Sequence, residues 1–260
     1  MAFAININSD VGESYGRWQL GNDRELMRYV PTINVACGFH AGDPHVMRRT
    51  VAWAAETGVE LGAHVSLPDV IGFGRRRMQI SPDELADYVA YQVGALGASA
   101  RSAGVALRHV KPHGVLYAMC GEDEGYGRAL LGAVEATDPE LVVIIGGKRP
   151  VELGAELGLR VTNEGYVDLA YQPNGYPVIE RVKRAWDPEE VARRAVRLAT
   201  ERVAEAKDGS QLAVDVPTFC IHGDAPNAVE VARRVRERLA AAGVEVVALR
   251  MALERVAAGA

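Results

Sequence analysis

One histidine stands between a strand end and a helix start in the stretch Val35-Ala36-Cys37-Gly38-Phe39-His40-Ala41-Gly42-Asp43-Pro44. The apolar residues that lead to Cys37 predict a short buried strand. Asp43 followed by Pro44 is typical of an N-cap and a first helical position. The same order returns in Phe219-Cys220-Ile221-His222-Gly223-Asp224-Ala225-Pro226. Two such segments in a chain of strands and helices predict the rim of an active site.

Composition excludes several classes of protein. The chain has 260 residues, 48% of them hydrophobic, which is enough for a sizeable core. Its net charge of −5 argues against nucleic acid as a partner, since phosphate binding needs clustered basic residues. No apolar run reaches the roughly 18 residues of a membrane span, and no basic secretory leader precedes the first strand. Three cysteines at separate strand ends predict no disulfide framework, so we expect a cytoplasmic protein.

Strands and helices alternate along the whole chain. The predicted strands cover residues 4–8, 33–36, 59–63, 108–111, 141–145, 160–163, 218–221 and 244–248. The predicted helices cover residues 22–29, 44–56, 81–102, 126–136, 150–157, 187–207 and 227–242. This rhythm is typical of parallel βα units, and no linker or low-complexity segment divides it. Seven or so βα units therefore predict a closed or nearly closed parallel βα barrel that forms a single domain over residues 1–260.

Polar side chains follow many of these strands. They are Asp10, His40, His64, Lys111, His113, Glu164 and His222. In a βα barrel the carboxyl ends of the strands share one face, where chemistry is built. In an open sheet, ligands gather at a single switch point, and so many strands would not contribute. The distribution favours the barrel and predicts a shared site.

Each acidic or basic candidate also has an interpretation without a functional role. Asp10 and Glu13 form a paired-carboxylate unit for acid–base work, or else a turn in which Asp10 accepts backbone N–H groups. Lys111 lies between a strand and a proline, where a partly buried lysine can hold an oxyanion; the alternative is a surface lysine. Arg75 and Asp69 belong to a glycine- and arginine-rich loop that is either solvated or a clamp for an anionic group.

A metal site is the main alternative to an acid–base role for these residues. Asp10, His40 and His64 form a set of donors suited to Zn²⁺ or another divalent ion. No HExxH or CxxC motif is present, so the sequence leaves metal binding open. Cys37 and Cys220 are expected to be small buried residues rather than ligands or nucleophiles.

Six segments resemble the LamB/YcsF lactam-utilisation family. They are Asp10-Val11-Gly12-Glu13-Ser14-Tyr15-Gly16, Asn34 to Pro44, Gly62-Ala63-His64 to Asp69, Gly72-Phe73-Gly74-Arg75, Lys111-Pro112-His113-Gly114-Val115-Leu116-Tyr117 and Cys220-Ile221-His222-Gly223-Asp224. The resemblance covers nearly the whole chain. It implies a seven-stranded barrel like that of glycoside hydrolases and polysaccharide deacetylases. It also implies ATP-dependent cleavage of 5-oxoproline to glutamate, as the A subunit of a 5-oxoprolinase whose partners are the B and C subunits.

The chain departs from the family pattern at three positions. The first motif usually reads Asp-Leu-Asn-Glu-Gly-Phe-Gly, whereas this chain has Gly12 and Ser14. Around Glu164 the family tends to show Glu-x-Phe-Ala-Asp-Arg-x-Tyr, and this chain has Leu169 in place of the arginine. Glu164, Asp168 and Tyr171 stay in register. These changes leave room for another lactam as substrate.

The expected roles follow from the chemistry of an unstrained lactam. Phosphorylation of the amide oxygen by ATP, with Mg²⁺, makes the carbon electrophilic, and water attack then needs a base. We assign Asp10 as the base, with Glu13 beside it, and Lys111 and His113 as stabilisers of negative charge. The substrate-binding candidates are His40, His64, Asp69, Arg75, Glu164, His222 and Asp224.

Two other functions stay open. One is a metal-dependent deacetylase or amidase that works without ATP. The other is a non-catalytic, lactam-binding subunit whose chemistry lies in its partners. The clustered titratable groups argue against the second, since binding alone needs fewer of them. Self-association into a homo-oligomer is also left open.

Overall fold

The computed structural model describes residues 3–178, 180 and 182–259. Its strands are β1 (Phe3–Val11), β2 (Thr32–Ala36), β3 (Glu60–Val65), β4 (Leu107–Pro112), β5 (Val142–Ile144), β6 (Val161–Thr162), β7 (Gly165–Tyr166), β8 (Val203–Glu205), β9 (Gln211–Ala213), β10 (Thr218–Cys220) and β11 (Val244–Val246). Its helices are α1 (Asp23–Leu26), α2 (Pro44–Thr57), α3 (Pro82–Ser102), α4 (Gly114–Glu122), α5 (Glu124–Thr137), α6 (Lys148–Glu156), α7 (Pro188–Glu201), α8 (Ala228–Ala241) and α9 (Leu249–Gly259).

The chain divides into two compact units. The first unit consists of Met1–Asp10, Gly21–Thr32 and Glu164–Ala260, and the second unit of Val11–Leu20 and Ile33–Asn163. The expectation of a single domain stays a prediction. No helix in the described part of the chain is long and apolar enough to cross a membrane.

The second unit is built on the strand order β6-β5-β4-β3-β2. β3 and β4 pair in parallel, with His64 opposite Lys111 and Val65 opposite Pro112. This register brings the polar residues of the two strand ends to one level. Apolar side chains of these strands, such as Ala63 and Val110, are fully buried.

Two helices of the second unit begin as the sequence predicts. The Asp43 side chain accepts the backbone N–H groups of His45 and Val46, and Pro44 opens α2. Ser81 and Glu84 form a capping box at the start of α3. Gly58 ends α2 in the left-handed conformation. Such caps satisfy the backbone groups that every helix terminus leaves without a partner inside the helix.

The first unit contains β1 paired in parallel with β10 and β11, and β10 paired with β7. Asn8 lies opposite Cys220, and Cys220 lies opposite Tyr166. The ends of β1, β10 and β7 are therefore level with one another. β8 and β9 form a separate antiparallel hairpin.

Several predicted elements need correction. The helix predicted over 187–207 ends at Glu201, where Arg202 adopts a left-handed conformation, and the hairpin β8–β9 follows. His64 lies inside β3 rather than after it. The structure adds α4, α9, β7 and the hairpin to the predicted elements. Within the described residues, nine strands belong to the main sheet instead of seven.

Candidate active site

Four side chains of the second unit converge on one another. Glu13, His40, His64 and His113, here called the histidine cluster, each offer one ligand atom, and these atoms lie within 4.8 Å of one another. All four residues are buried. His64 is delivered by β3, His113 directly follows β4, and His40 lies between β2 and α2, as its place in the sequence predicts.

Hydrogen bonds to backbone carbonyls orient the rings of His64 and His113. His64 Nδ1 donates to the Lys111 carbonyl oxygen at 2.9 Å, and His113 Nε2 donates to the Phe73 carbonyl oxygen at 2.9 Å. The remaining ring nitrogens of His64 and His113 lie 2.9 Å apart. The backbone thus fixes the outer N–H group of each ring and brings the two inner nitrogens together.

The Glu13 carboxylate lies beside two of the rings. Its Oε1 lies 3.7 Å from His113 Nδ1 and 3.1 Å from His40 Nε2. The rings of His40 and His113 stack with centroids 3.8 Å apart. This stacking and the shared carboxylate hold the donor atoms of the cluster together.

A loop closes over the histidine cluster. Phe73 packs edge-on against His40 and His113, and it holds a left-handed backbone conformation with φ of 54°. Gly74 lies so close to Ser66 Oγ and to the two histidines that a side chain there would overlap them. Only glycine fits at position 74 without displacing its neighbours.

Ser66 is a polar residue of the second unit that the candidate set omitted. Gln92 fixes its backbone with two hydrogen bonds of 2.9 Å. Its hydroxyl is buried and has no hydrogen-bond partner within the residues that the structure describes. A buried hydroxyl without a partner is costly, so a bound group beside Gly74 would satisfy it.

The donor set of the histidine cluster fits a divalent metal ion. Three imidazoles and one carboxylate are typical ligands of Zn²⁺. Backbone carbonyls hold the outer N–H groups of His64 and His113, which is how metal-binding histidines are usually oriented. Glu13, His40, His64 and His113 are therefore the residues that would hold such an ion, and it would act as a Lewis acid.

A second group of side chains belongs to the first unit. Asp10, Asp168, Cys220 and His222 are here called the aspartate cluster. Asp168 accepts both the backbone N–H of His222 at 2.7 Å and the ring Nδ1–H at 2.9 Å. This leaves His222 Nε2 facing Asp10 Oδ2 at 4.0 Å. Cys220 Sγ lies 3.9 Å from the same Asp10 oxygen.

Electrostatics keep Asp168 ionised. Burial alone raises the pKa of this carboxyl, but the adjacent His222 and the more distant Lys183 bring the pKa down to about 2. An ionised Asp168 holds His222 in the tautomer whose Nε2 is free to accept a proton. Asp168 was noted in the sequence only as a residue in register with the family pattern, and it was not among the candidates.

The glycine after His222 is required by a close approach. Gly223 lies against the backbone of Asp10, and a Cβ at this position would overlap the Asp10 carbonyl oxygen. The His222-Gly223 pair can thus bring the end of β10 against the end of β1, which explains the glycine that follows the histidine.

Glu164 lies in a buried hydrogen-bond chain of the first unit. It accepts from Asn8 Nδ2 at 3.2 Å and from the Tyr166 hydroxyl at 3.0 Å. The Tyr166 ring in turn stacks on His222 with centroids 6.2 Å apart. Asn8 and Tyr166, which the candidates did not include, thus join Glu164 as buried polar residues.

The structure also gives the surroundings of the remaining candidate residues, which are Asp69, Arg75, Lys111 and Asp224. Asp69 pairs with Arg76, and its side chain also accepts the Gly72 backbone N–H, so it holds the loop together. Arg75 lies over the Phe73 ring at 4.9 Å. Lys111 is buried at the end of β4. Asp224 is partly exposed.

The structure divides the predicted metal set of Asp10, His40 and His64. It places the two histidines with Glu13 and His113, whereas Asp10 lies with Cys220 and His222. Asp10 lies within β1, whereas Glu13 comes after Val11, the last residue of that strand. This difference in position is the sequence signal that could have separated the two carboxylates. The catalytic, binding and metal roles of all these residues stay predictions.

Parallel strands that end in clusters of histidine and carboxylate define a hydrolase-like βα fold, and comparisons with known proteins agree. The family model of the LamB/YcsF family matches residues 5–254. The A subunit of the 5-oxoprolinase from Pyrococcus furiosus is 44% identical over 245 residues, which are 93% of this chain and 96% of that protein. The chain belongs to the LamB/YcsF family.

Two solved structures bear on the fold. The lactam utilization protein of Thermus thermophilus superposes with a TM-score of 0.87 and 45% identity, covering 94% of this chain and 99% of that one. A polysaccharide deacetylase from Bacillus cereus has a TM-score of 0.50 and 14% identity, covering 95% and 92% of the chains, and it shows the fold alone. The predicted family and the βα-barrel fold class are confirmed.

Proposed function

We propose that the chain cleaves 5-oxoproline to L-glutamate at the expense of ATP, as the A subunit of an assembly with B and C subunits. The names of its relatives support a hydrolase that acts on a cyclic amide within a multi-subunit enzyme. The observation that carries the chemistry is the aspartate cluster, in which a buried carboxylate orients a histidine whose second nitrogen faces Asp10.

The reaction needs an activated carbonyl and a base. A five-membered lactam resists hydrolysis, so transfer of the γ-phosphoryl group of ATP to the amide oxygen, with Mg²⁺, makes the ring carbon electrophilic. Water then adds to that carbon as Asp10 takes its proton, and the ring C–N bond breaks as the nitrogen takes up a proton. His222 Nε2 faces Asp10 Oδ2 at 4.0 Å, and in this proposal it accepts the proton from Asp10 and delivers it to the departing nitrogen. A second water splits the acyl phosphate left on the former ring carbon into the new glutamate carboxylate and inorganic phosphate.

We assign the stabilisation of negative charge to Lys111 and His113. Lys111 is buried at the end of β4, and the buried His113 directly follows that strand. Cationic groups in a site that excludes water stabilise an oxyanion more strongly than they would in water. The three cysteines are buried and form no disulfide within the described residues, which fits a reducing compartment, so we place the reaction in the cytoplasm. Self-association stays a prediction.

The histidine cluster favours a second candidate, a metal-dependent amidase or deacetylase. A divalent ion held by Glu13 and the three histidines would polarise an amide carbonyl without ATP. The two candidate functions differ in whether they consume ATP, and one assay distinguishes them.

The assay follows phosphate and glutamate in the same tubes, with the chain alone and with co-expressed B and C subunits. We expect 5-oxoproline-dependent release of both products only in the complex. Asp10→Asn should lower turnover by about a hundredfold or more, in the range that a lost general base costs. Asp83→Asn, which replaces an exposed carboxylate on α3, is the control and should leave turnover unchanged.

Three results would contradict the proposal. Activity that is abolished by a chelator but indifferent to ATP would favour the amidase. Unchanged activity of the complex after Asp10→Asn would indicate a lactam-binding protein whose chemistry lies in its partners. If neither phosphate nor glutamate were released in any tube, with the complex shown to be assembled, the chain would act on a different substrate.

A further inference from the structure

A cavity of about 240 Å³ lies in the first unit, lined by α7, by β8 with the two residues after it, and by the segments around Tyr166 and Trp186. Its ionisable lining residues are Glu190, Arg193, Arg194, Arg197, Glu205 and Lys207. Four basic residues face two acidic ones. Neither the aspartate cluster nor the proposed reaction uses any of these six side chains.

Existing ion pairs leave the positive charge in excess. Arg197 pairs with Glu201 at 3.1 Å and with Glu205 at 3.7 Å. Arg193, Arg194 and Lys207 form no ion pair with any residue in 3–178, 180 or 182–259. Glu190 interacts with Arg194 only at longer range. The cavity therefore has more cationic than anionic groups on its wall.

Arg194 is held in place rather than free in solvent. Its guanidinium lies over the Trp186 ring at 5.2 Å, and its Nη2 donates to the Leu169 carbonyl oxygen. Burial lowers the pKa of Arg194, and the nearby Glu190 only partly offsets this effect. A fixed guanidinium that has lost hydration gains more from an anionic ligand than a mobile surface arginine does.

Trp186 adds a donor without an acceptor. Its ring lies against the guanidinium groups of Arg184 and Arg194, with distances of 4.7 and 5.2 Å. Its Nε1–H is buried and finds no hydrogen-bond partner in the described part of the chain. An indole N–H can only donate, so an acceptor atom must supply the missing bond.

We propose that this cavity binds a small oxyanion of the phosphate class. The guanidinium of Arg194, the indole N–H of Trp186 and the cationic ends of Arg193 and Lys207 are the groups that would hold it. A cation would be repelled by this wall, and an apolar ligand would leave the indole N–H without a partner. The volume suits a phosphate group or a phosphorylated small molecule. The inference does not depend on the proposed reaction.

The occupied site would adjoin the aspartate cluster. Tyr166 lines the cavity, and its ring stacks on His222. Leu169, whose carbonyl holds Arg194, directly follows Asp168 in the chain. Tyr166 would thus lie between the bound oxyanion and His222, and Arg194, which would hold the oxyanion, contacts the residue next to Asp168.

The test is a calorimetric titration of the full chain with inorganic phosphate. We expect saturable binding, weakened by about tenfold or more in the Arg193→Gln, Lys207→Gln double variant. Arg101→Gln with Lys148→Gln removes the same charge from exposed positions elsewhere and should bind like the wild type. Trp186→Phe keeps an aromatic ring but lacks the N–H, and it should weaken binding several-fold.

A parallel titration with ADP separates free phosphate from a phosphorylated ligand, because a tighter dissociation constant for ADP assigns the site to the latter. Three results would overturn the proposal. One is the absence of phosphate binding by the wild type up to about 10 mM, where affinity would be too weak to be specific. Another is equal weakening in the two double variants. The third is binding of glutamate but not of phosphate, which would make the cavity a carboxylate site.

Discussion

At the scale of single residues, Glu13 distinguishes the site in the structure from the one expected from the sequence. Asp10 and Glu13 are three positions apart, yet they belong to different clusters. The two clusters also differ in kind. One is a set of nitrogen donors around a single carboxylate, and the other is a histidine held by an ionised aspartate. We therefore propose that metal binding and proton transfer involve separate side chains.

We expect Glu13→Gln to weaken binding of Zn²⁺ to the purified, metal-stripped chain by at least about tenfold. The amide keeps the size of the side chain but lacks the negative charge of the one carboxylate in this donor set. Asp10→Asn is the matched variant, and metal affinity at the histidine cluster should not change. Calorimetry with Zn²⁺ measures both. A loss in Asp10→Asn with none in Glu13→Gln would restore the set of Asp10, His40 and His64.

At the scale of elements, local caps decide where several helices begin. In α3 the Ser81 hydroxyl accepts the Glu84 backbone N–H at 3.1 Å, and the Glu84 carboxylate accepts the Ser81 N–H at 2.9 Å. These bonds replace partners that the first turn lacks. The start of α3 was therefore predictable from four consecutive residues.

Ser81→Ala should lower the free energy of unfolding by about 1 kcal/mol, because it removes the acceptor of an N-cap. Ser102→Ala at the other end of α3 is the control. The Ser102 hydroxyl only donates back to the Ala98 carbonyl oxygen, so we expect little change. Urea denaturation of both variants measures the difference. Equal losses in the two variants would contradict the importance of the cap.

Elements without such local signals were missed. α7 ends because Arg202 adopts a left-handed conformation, which is rare outside glycine and leaves no mark in the sequence. The hairpin β8–β9 turns at Asp208-Gly209, a recognisable turn pair, but its strands have only three residues each. α4 begins at a glycine directly after His113, where helix propensity is low.

At the scale of the whole molecule, the sequence predicted the order of βα units and most of the polar strand ends. Hydrophobic runs bounded by turns carry that information locally. The partners of the polar residues could not be predicted, because Asp168 meets His222 across 54 positions and His64 meets His113 across 49. Such pairings depend on strand register, which only the folded sheet determines.

Acid should destabilise the folded chain partly through Asp168. The pKa of this carboxyl lies near 2 in the folded state, against 3.8 as its ordinary value. Its contribution is therefore present above pH 4 and is lost as pH falls towards 2. Asp168→Asn should be less stable than the wild type at pH 6, with a gap that narrows by about 2 kcal/mol by pH 2.

Urea denaturation across this pH range measures the gap. Asp83→Asn, which replaces an exposed carboxylate on α3, is measured in parallel as the control. A constant difference between Asp168→Asn and the wild type would mean that Asp168 is not ionised through its contact with His222.

The left-handed backbone of Phe73 has a consequence for how this family can change. That conformation costs the folded chain about 1–3 kcal/mol relative to a relaxed loop. A glycine at position 73 would recover part of this cost, yet it would remove the ring that packs on His40 and His113. Selection for a more heat-resistant chain and selection for an intact histidine cluster therefore oppose each other at this one position.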